Sequence, residues 1–270
     1  MRYKVIGQIG WPILNYYGNR KYLQNNKIMN RTSMTHQKIV PCYLSILLVS
    51  TLFLLNGFST NAQTKAEQLG WKQLFNGKDL TGWQHVGGGS RFVEDGLLAS
   101  KGGMGLLYWT GGKLGNCVLR VVYKMQKLNS NAGVFIRIPI EPKEEWMPVY
   151  YGYEVQIDNH PETSNEDDYH VSGTLYSLTK PLAKPGKPGP EWNTMEITLD
   201  GPRTIVFLNG EKVTDYTEGD PTPKRQFSFE PYPGIRPNQG YIGLQNHGEE
   251  DVVYFKEVAV RSLVKKITKK

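Results

Sequence analysis

Gly152-Tyr153-Glu154-Val155-Gln156-Ile157-Asp158 alternates without a break. Val155 and Ile157 point to one face and Glu154, Gln156 and Asp158 to the other, because the side chains of a strand switch faces with period two. A half-buried strand normally gives its second face to a mixture of solvated residues. This one gives it two carboxylates and an amide, directly after the aromatic run Trp146, Tyr150, Tyr151 and Tyr153. Such a face suits a ligand rich in hydroxyls.

Three other segments repeat the arrangement. In Val134–Ile138 the buried row is Val134, Ile136 and Ile138, with Phe135 and Arg137 facing outward. In Tyr241–His247, Ile242 and Leu244 turn inward while Tyr241, Gln245 and His247 turn outward. Cys117–Met125 buries either Leu119, Val121, Tyr123 and Met125 or the opposite row; the first choice leaves Arg120 and Lys124 on the polar side. Together the four segments predict a sheet whose second face is a site.

The net charge of +7 is concentrated at the front. Residues 1–62 hold Arg2, Lys4, Arg20, Lys21, Lys27, Arg31 and Lys38 and no acid. Removing those seven from 32 basic residues leaves 25, against 25 acidic ones. The remainder is neutral and carries no basic footprint for nucleic acid.

The front segment reads as targeting. An apolar run over 39–55 follows His36 and Lys38 and precedes Asn56-Gly57-Phe58-Ser59-Thr60-Asn61-Ala62, the basic, apolar and small-residue parts of a secretory signal cleaved after Ala62. The run, about 17 residues against the roughly 20 that span a bilayer, is borderline for a span, so a retained anchor is the alternative to cleavage; once the signal is removed no stable membrane insertion is expected. The expected location is the periplasm or the cell exterior, with 63–69 a short linker and 264–270 a basic tail. The processed chain then keeps only Cys117, which rules out an internal disulfide and a multi-thiolate zinc cage. About 200 residues bury an adequate core without either.

From Trp71 to Leu263 no long helix-period run occurs. Short alternating runs are separated by Asn76-Gly77, Asp95-Gly96, Asp200-Gly201 and Asn209-Gly210. Asn209-Gly210, between Ile205–Leu208 and Val213–Tyr216, predicts a hairpin. Many strands at this spacing argue for an all-β sandwich or barrel. Lys180–Glu191 reads as a surface loop, and the five prolines of Thr217–Gln239 exclude a central strand there. The chain is therefore read as one all-β domain over 70–263 with two long loops.

Asn131-Ala132-Gly133-Val134-Phe135-Ile136-Arg137, the strand 152–158, Glu191-Trp192-Asn193-Thr194-Met195, Phe207-Leu208-Asn209-Gly210 and Gly243-Leu244-Gln245-Asn246-His247-Gly248 occur in the order of the 3-keto-disaccharide hydrolase domain family. Phe75-Asn76-Gly77-Lys78-Asp79-Leu80-Thr81-Gly82-Trp83 is similar to that domain's start. The resemblance implies a concanavalin-like (laminarinase-like) jelly roll, export, and action on glycosides oxidised at C3. Relatives include glycoside-cleaving and hydrating enzymes.

Glu154 and Asp158, four apart on a strand, stand about 13 Å apart at Cα. A two-carboxylate glycosidase needs its carboxyls roughly 5–9.5 Å apart, and Gln156 occupies the position of the central carboxylate in laminarinase-type strands. A 3-keto sugar offers another route, because the ketone acidifies the C2 proton and the C1 substituent can then be eliminated. That chemistry needs a base near C2, positive charge at the enolate oxygen and an acid for the leaving oxygen. The candidates are Glu154 or His170 as base, Arg137 or a divalent metal cation as enolate stabiliser, and Asp158 or His247 as proton donor. Asn131, Gln156 and Gln245 would hold hydroxyls, with Trp146 and Tyr151 stacking on the carbohydrate. Glu154, Asp158, His170 and His247 are the metal-ligand candidates; calcium at Glu166, Asp167 or Asp168 competes for that role.

Plainer readings stand beside these. Arg137 makes a cross-strand ion pair with Glu154, His247 closes a turn, and His170 is a solvated loop residue. Trp192 is expected in the core and Trp71 and Trp83 against the first strands. A non-catalytic carbohydrate-binding jelly roll is the alternative function.

Overall fold

The computed structural model describes residues 70–159 and 168–263. The expected leader, linker and basic tail, and the calcium candidates Glu166 and Asp167, lie outside the described residues. Among the described residues thirteen strands follow in chain order: β1 (Lys72–Gln73), β2 (Trp83–Gly87), β3 (Ser90–Glu94), β4 (Leu97–Lys101), β5 (Gly105–Trp109), β6 (Cys117–Met125), β7 (Ala132–Ile138), β8 (Tyr153–Ile157), β9 (Asn193–Asp200), β10 (Arg203–Leu208), β11 (Glu211–Thr217), β12 (Tyr241–Asn246) and β13 (Val253–Ser262). Their pairing is antiparallel throughout.

The strands form two sheets. One has eight strands in the order β11-β10-β9-β6-β13-β4-β3, with β1 added on β13; the other has five in the order β2-β5-β12-β7-β8. Between them lies the main core. It takes Leu119, Val121, Tyr123 and Met125 from β6 and Met195, Ile197 and Leu199 from β9. The five-stranded sheet answers with Val134, Ile136, Val155, Ile157, Ile242 and Leu244. Period-two alternation turns these rows inward, and the result is a jelly-roll β-sandwich. The first choice for Cys117–Met125 is therefore the observed one. That strand sits in the eight-stranded sheet, so three of the four alternating segments, not all four, build the site-bearing sheet.

The turn chemistry acts as its residues dictate. Leu208 pairs with Glu211 across Asn209 (φ 51°) and Gly210 (φ 87°). Positive φ at both central residues matches the twist of the flanking strands. Asp95 and Gly96 close β3–β4 in the same manner.

One short helix was not legible in the sequence. α1 (Met147–Tyr151) has Pro148 in its first turn and lays Met147, Pro148 and Val149 on the outer face of the five-stranded sheet. Five residues are too few for a helical period to show. Beneath it a second apolar cluster of Leu106, Tyr108, Phe135 and Ile138 occupies half of that outer face. Trp71 and Trp83 are buried as expected, the latter donating its Nε1–H to Leu74 O at 2.9 Å. Trp192 is not core. It lies half-buried on the outer surface beneath the ammonium groups of Lys124 and Lys256, 5.0 and 4.5 Å from the ring, cations that need water as well as the ring face.

Candidate active site

The other half of the outer face is polar and open. β8 supplies its floor: with Tyr153, Val155 and Ile157 in the core, Glu154 and Gln156 face out, followed by Asp158. Gly133 sits opposite Gln156 on β7. A Cβ there would lie 2.3 Å from Glu154 Oε1 and 2.6 Å from its Cγ, so the bare backbone is what lets Glu154 lie across it.

The free side of β8 is covered by residues 172–176. Tyr176 and Ser172 donate their amides to the carbonyls of Glu154 and Asp158, Gly173 donates to Gln156 O, and Gln156 donates to Thr174 O, at 2.8–3.0 Å. This run begins from the 3₁₀ turn Asp168–His170 and carries His170 and Tyr176 to the cavity wall. The His170 ring stacks on Tyr176 at 4.5 Å and its Nε2 meets Ser177 Oγ at 2.8 Å. His170 is buried, not solvated.

From β12 come Gln245 and, just beyond the strand, His247. The turn after it delivers Asp251, a residue the sequence reading missed within the acidic stretch Glu249-Glu250-Asp251. Asp251 Oδ2 faces His247 Nδ1 at 2.9 Å and accepts the Gly248 amide at 2.8 Å, while Oδ1 accepts the Asn131 amide at 2.9 Å. Gln156 Nε2 donates to Asn131 Oδ1 at 3.0 Å, which turns the Asn131 amide nitrogen toward His247 Nε2 at 3.5 Å. A chain of contacts thus runs Gln156–Asn131–His247–Asp251. His247 does close a turn, and it serves the cavity as well.

Glu154, Gln156, Asp158, His170, Gln245, His247, Asn131 and Trp146 all line one cavity of about 580 Å³, with Lys127 and Asp251 among its other walls. Two predicted residues do not join them. β7 carries a register shift opposite Tyr241–Gly243, and Arg137 adopts φ 54° there. The bulge re-aims the chain, so Ile138 joins the outer apolar cluster and Arg137 leaves that face. Its fully buried guanidinium donates to Thr204 Oγ1 (3.2 Å), Pro237 O (3.0 Å), Gly201 O (2.9 Å) and Arg203 O (3.1 Å). Arg137 is a structural tie, neither an enolate stabiliser nor a partner of Glu154. Tyr151 is the second: it is half-exposed against Tyr150 and Tyr232 and does not line the cavity.

A family profile described as the 3-keto-alpha-glucoside-1,2-lyase-like domain matches residues 70–261. The chain belongs to this family. Three crystal structures of candidate glycosyl hydrolases from Parabacteroides distasonis resemble the lyase-like domain. The first is 26% identical with a TM-score of 0.61, covering 74% of this chain and 97% of its own. The second is 27% identical with a TM-score of 0.57, covering 72% and 99%. The third, at 22% identity, 0.53, 72% and 84%, bears on the fold alone. No curated protein matches the chain.

The cavity of this lyase-like domain is tuned electrostatically. Burial pushes the Glu154 carboxyl up to about 8, against the opposing pull of the His247 charge and a hydrogen bond from Gln245. At His247 burial favours the neutral ring, but the hydrogen bond to Asp251 and the charges of Glu154, Asp251 and Asp158 outweigh it and raise the imidazole above its ordinary range. Burial likewise works to raise Asp251, yet the bonds from His247 and the amides of Asn131 and Gly248 hold its carboxyl below the usual range.

The metal reading fares less well. Glu154, Asp158, His170 and His247 share the cavity, but among the described residues no three of His, Cys, Asp and Glu cluster as ligands for an ion. Asp168, the described member of the calcium candidates, instead accepts the Lys184 ammonium at 2.5 Å. Among the described residues no helix is long and apolar enough to cross a membrane.

Proposed function

We propose that the lyase-like domain cleaves 3-keto-glycosides by removing the C2 proton, expelling the C1 substituent and adding water across the enone that results. The observation that carries this reading is the meeting of Glu154 and the Asp251-held His247 in one cavity lined with amides. Two titratable groups whose environments set them apart from their ordinary ranges are what acid–base chemistry near neutrality requires.

His247 takes the C2 proton at Nε2. Asp251 fixes the tautomer with the proton on Nδ1 and stabilises the imidazolium that forms; the Asn131 amide nitrogen facing Nε2 suits an unprotonated acceptor there. Glu154, still protonated at neutral pH, gives its proton to the departing oxygen as the C1–O bond breaks. The developing enolate oxygen needs positive charge, and Lys127 is the one Lys or Arg among the described lining residues. In the second half Glu154, now ionised, takes a proton from the water that adds to C1, and His247 returns its proton to C2. The sum is one water consumed, one alcohol released and one 3-keto sugar freed.

The amides hold the sugar. Gln156 and Gln245 are almost fully buried, yet Oε1 of each has no protein partner. A buried acceptor left unpaired is costly, and substrate hydroxyls are the donors that satisfy it. Asp158 and His170 flank them on the same wall. The expected leader sets this activity in the periplasm or at the cell exterior.

Incubation with a 3-keto-glucoside in deuterated water tests the proposal. Alcohol release with deuterium entering at C2 is the expected result, lost in Glu154→Gln and in His247→Ala. Cleavage with no deuterium at C2 and no slowing when the substrate itself carries deuterium at C2 refutes the elimination; sugar affinity without cleavage leaves a carbohydrate-binding role in its place.

A further inference from the structure

Single exposed apolar residues need no explanation, whereas a contiguous exposed apolar patch marks a binding surface. Here four stand in the open beside the cavity: Tyr151 at 49%, Phe227 at 52%, and Phe229 and Tyr232 at 39% each. They are continuous with the cavity wall. Trp146, which lines it, stacks on Tyr150 (6.1 Å between ring centres, 22°), and Tyr150 lies 5.0 Å from Tyr232. Phe229 lines the cavity from the long loop and stacks almost parallel on Phe227, 5.2 Å away at 6°.

The loop that carries these rings is held firmly for a segment without regular structure. Arg236, itself buried, donates to the carbonyls of Gly152 (3.1 Å), Tyr150 (3.0 Å) and Tyr232 (2.7 Å). Glu230 Oε2 accepts the amides of Gln226 and Phe227 at 2.5 and 3.0 Å, and the Arg225 guanidinium covers Tyr232 at 4.7 Å. Rings fixed in advance lose little freedom on meeting a ligand. Arg225, Glu230 and Arg236 are spent on these internal bonds, and Phe227, the most exposed of the four rings, and Phe229 stacked on it carry no hydroxyl. Such a surface recognises a flat apolar ring better than a second hydroxyl-rich sugar.

We propose that Phe227, Phe229 and Tyr232 form an aglycone subsite for a flat aromatic ring attached at C1 of the glycoside held in the cavity. This inference rests on the reading of the cavity as a glycoside site, and it narrows the substrates to aryl glycosides. Calorimetric titration of the full chain with phenyl glucoside, methyl glucoside and a glucose disaccharide tests it without requiring turnover. Phenyl glucoside is expected to bind about five- to tenfold tighter than the other two, the gain typical of aromatic stacking. That advantage should collapse toward unity in Phe227→Ala and in Tyr232→Ala and persist in Phe227→Tyr, with unchanged thermal unfolding of the alanine variants showing that the fold is intact. Equal affinity for the three ligands, no measurable binding of phenyl glucoside at millimolar concentration, or a preference that survives both alanine variants overturns the subsite. The reaction itself is read separately by deuterium entry at C2 from a 3-keto methyl glucoside, so failure of one claim is distinguishable from failure of the other.

Discussion

Glu154 is a carboxyl that stays protonated where most are charged. Its folded value of about 8 lies above its ordinary 4.5. Between those values the folded chain keeps a proton that the unfolded chain releases, so stability falls as pH rises through that interval and levels off above it. Replacing Glu154 by Gln removes this slope. The variant should gain on the unmutated protein by up to a few kcal/mol between about pH 5 and about pH 9. Thermal unfolding across that range measures it, and parallel curves for the two proteins would refute the burial argument. Activity should describe a bell. Its acid limb lies above the ordinary 6.5 of a histidine and its alkaline limb near 8, both belonging to the Glu154–His247 pair. Asp251→Asn removes the charge that raises His247, so the acid limb should move to lower pH while kcat drops at least tenfold. Pre-steady-state rates over pH check both.

At the scale of the element, alternation on β8 was fully legible. A strand has only two faces, so Val155 and Ile157 buried means Glu154 and Gln156 outward. β12 obeyed the same rule. β7 did not, because a bulge adds a residue without any mark in the hydrophobic pattern, and Arg137, not glycine, takes the positive φ there. That single irregularity moved a predicted catalytic cation into the structure's interior. Asp251 escaped for a different reason: among neighbouring acids in a polar turn it looks solvated, and only the spacing from His247 to Asp251, with Gly248 between, hinted at a side chain folding back. The close approach of the Glu154 side chain to Gly133 on the neighbouring β7 gives its own test. Gly133→Ala keeps an allowed backbone but pushes its methyl group into the Glu154 side chain. Turnover should fall at least tenfold with little loss in thermal stability, and steady-state kinetics beside calorimetry separates the two. Unchanged turnover would show that Glu154 does not need its position over β7.

For the whole molecule, the turn dipeptides and buried rows made the two-layer β architecture readable, since each is a local statement about one strand or one connection. Which strands share a sheet is not local, and β6 was misplaced on the site-bearing layer for that reason. Arg137 joins the layers physically, from β7 to the turn between β9 and β10 and to Pro237 of the long loop. Arg137→Met should lower stability by about 3 kcal/mol, because several buried carbonyls lose their donor at once. Turnover per folded molecule should hold. Denaturant unfolding and active-site titration distinguish this outcome from the catalytic loss that a role in the cavity would demand.

The short run 172–176 beside β8 has a consequence beyond delivering His170. A bare margin of a sheet invites pairing with another chain, and here the margin in question is the strand that carries Glu154. Loosening this strip, for instance by a proline at Thr174, would set the Glu154 carboxyl adrift and expose a sticky border in the same event. Specific activity and solubility should then decline together, a coupling that makes aggregation an early warning of a damaged cavity.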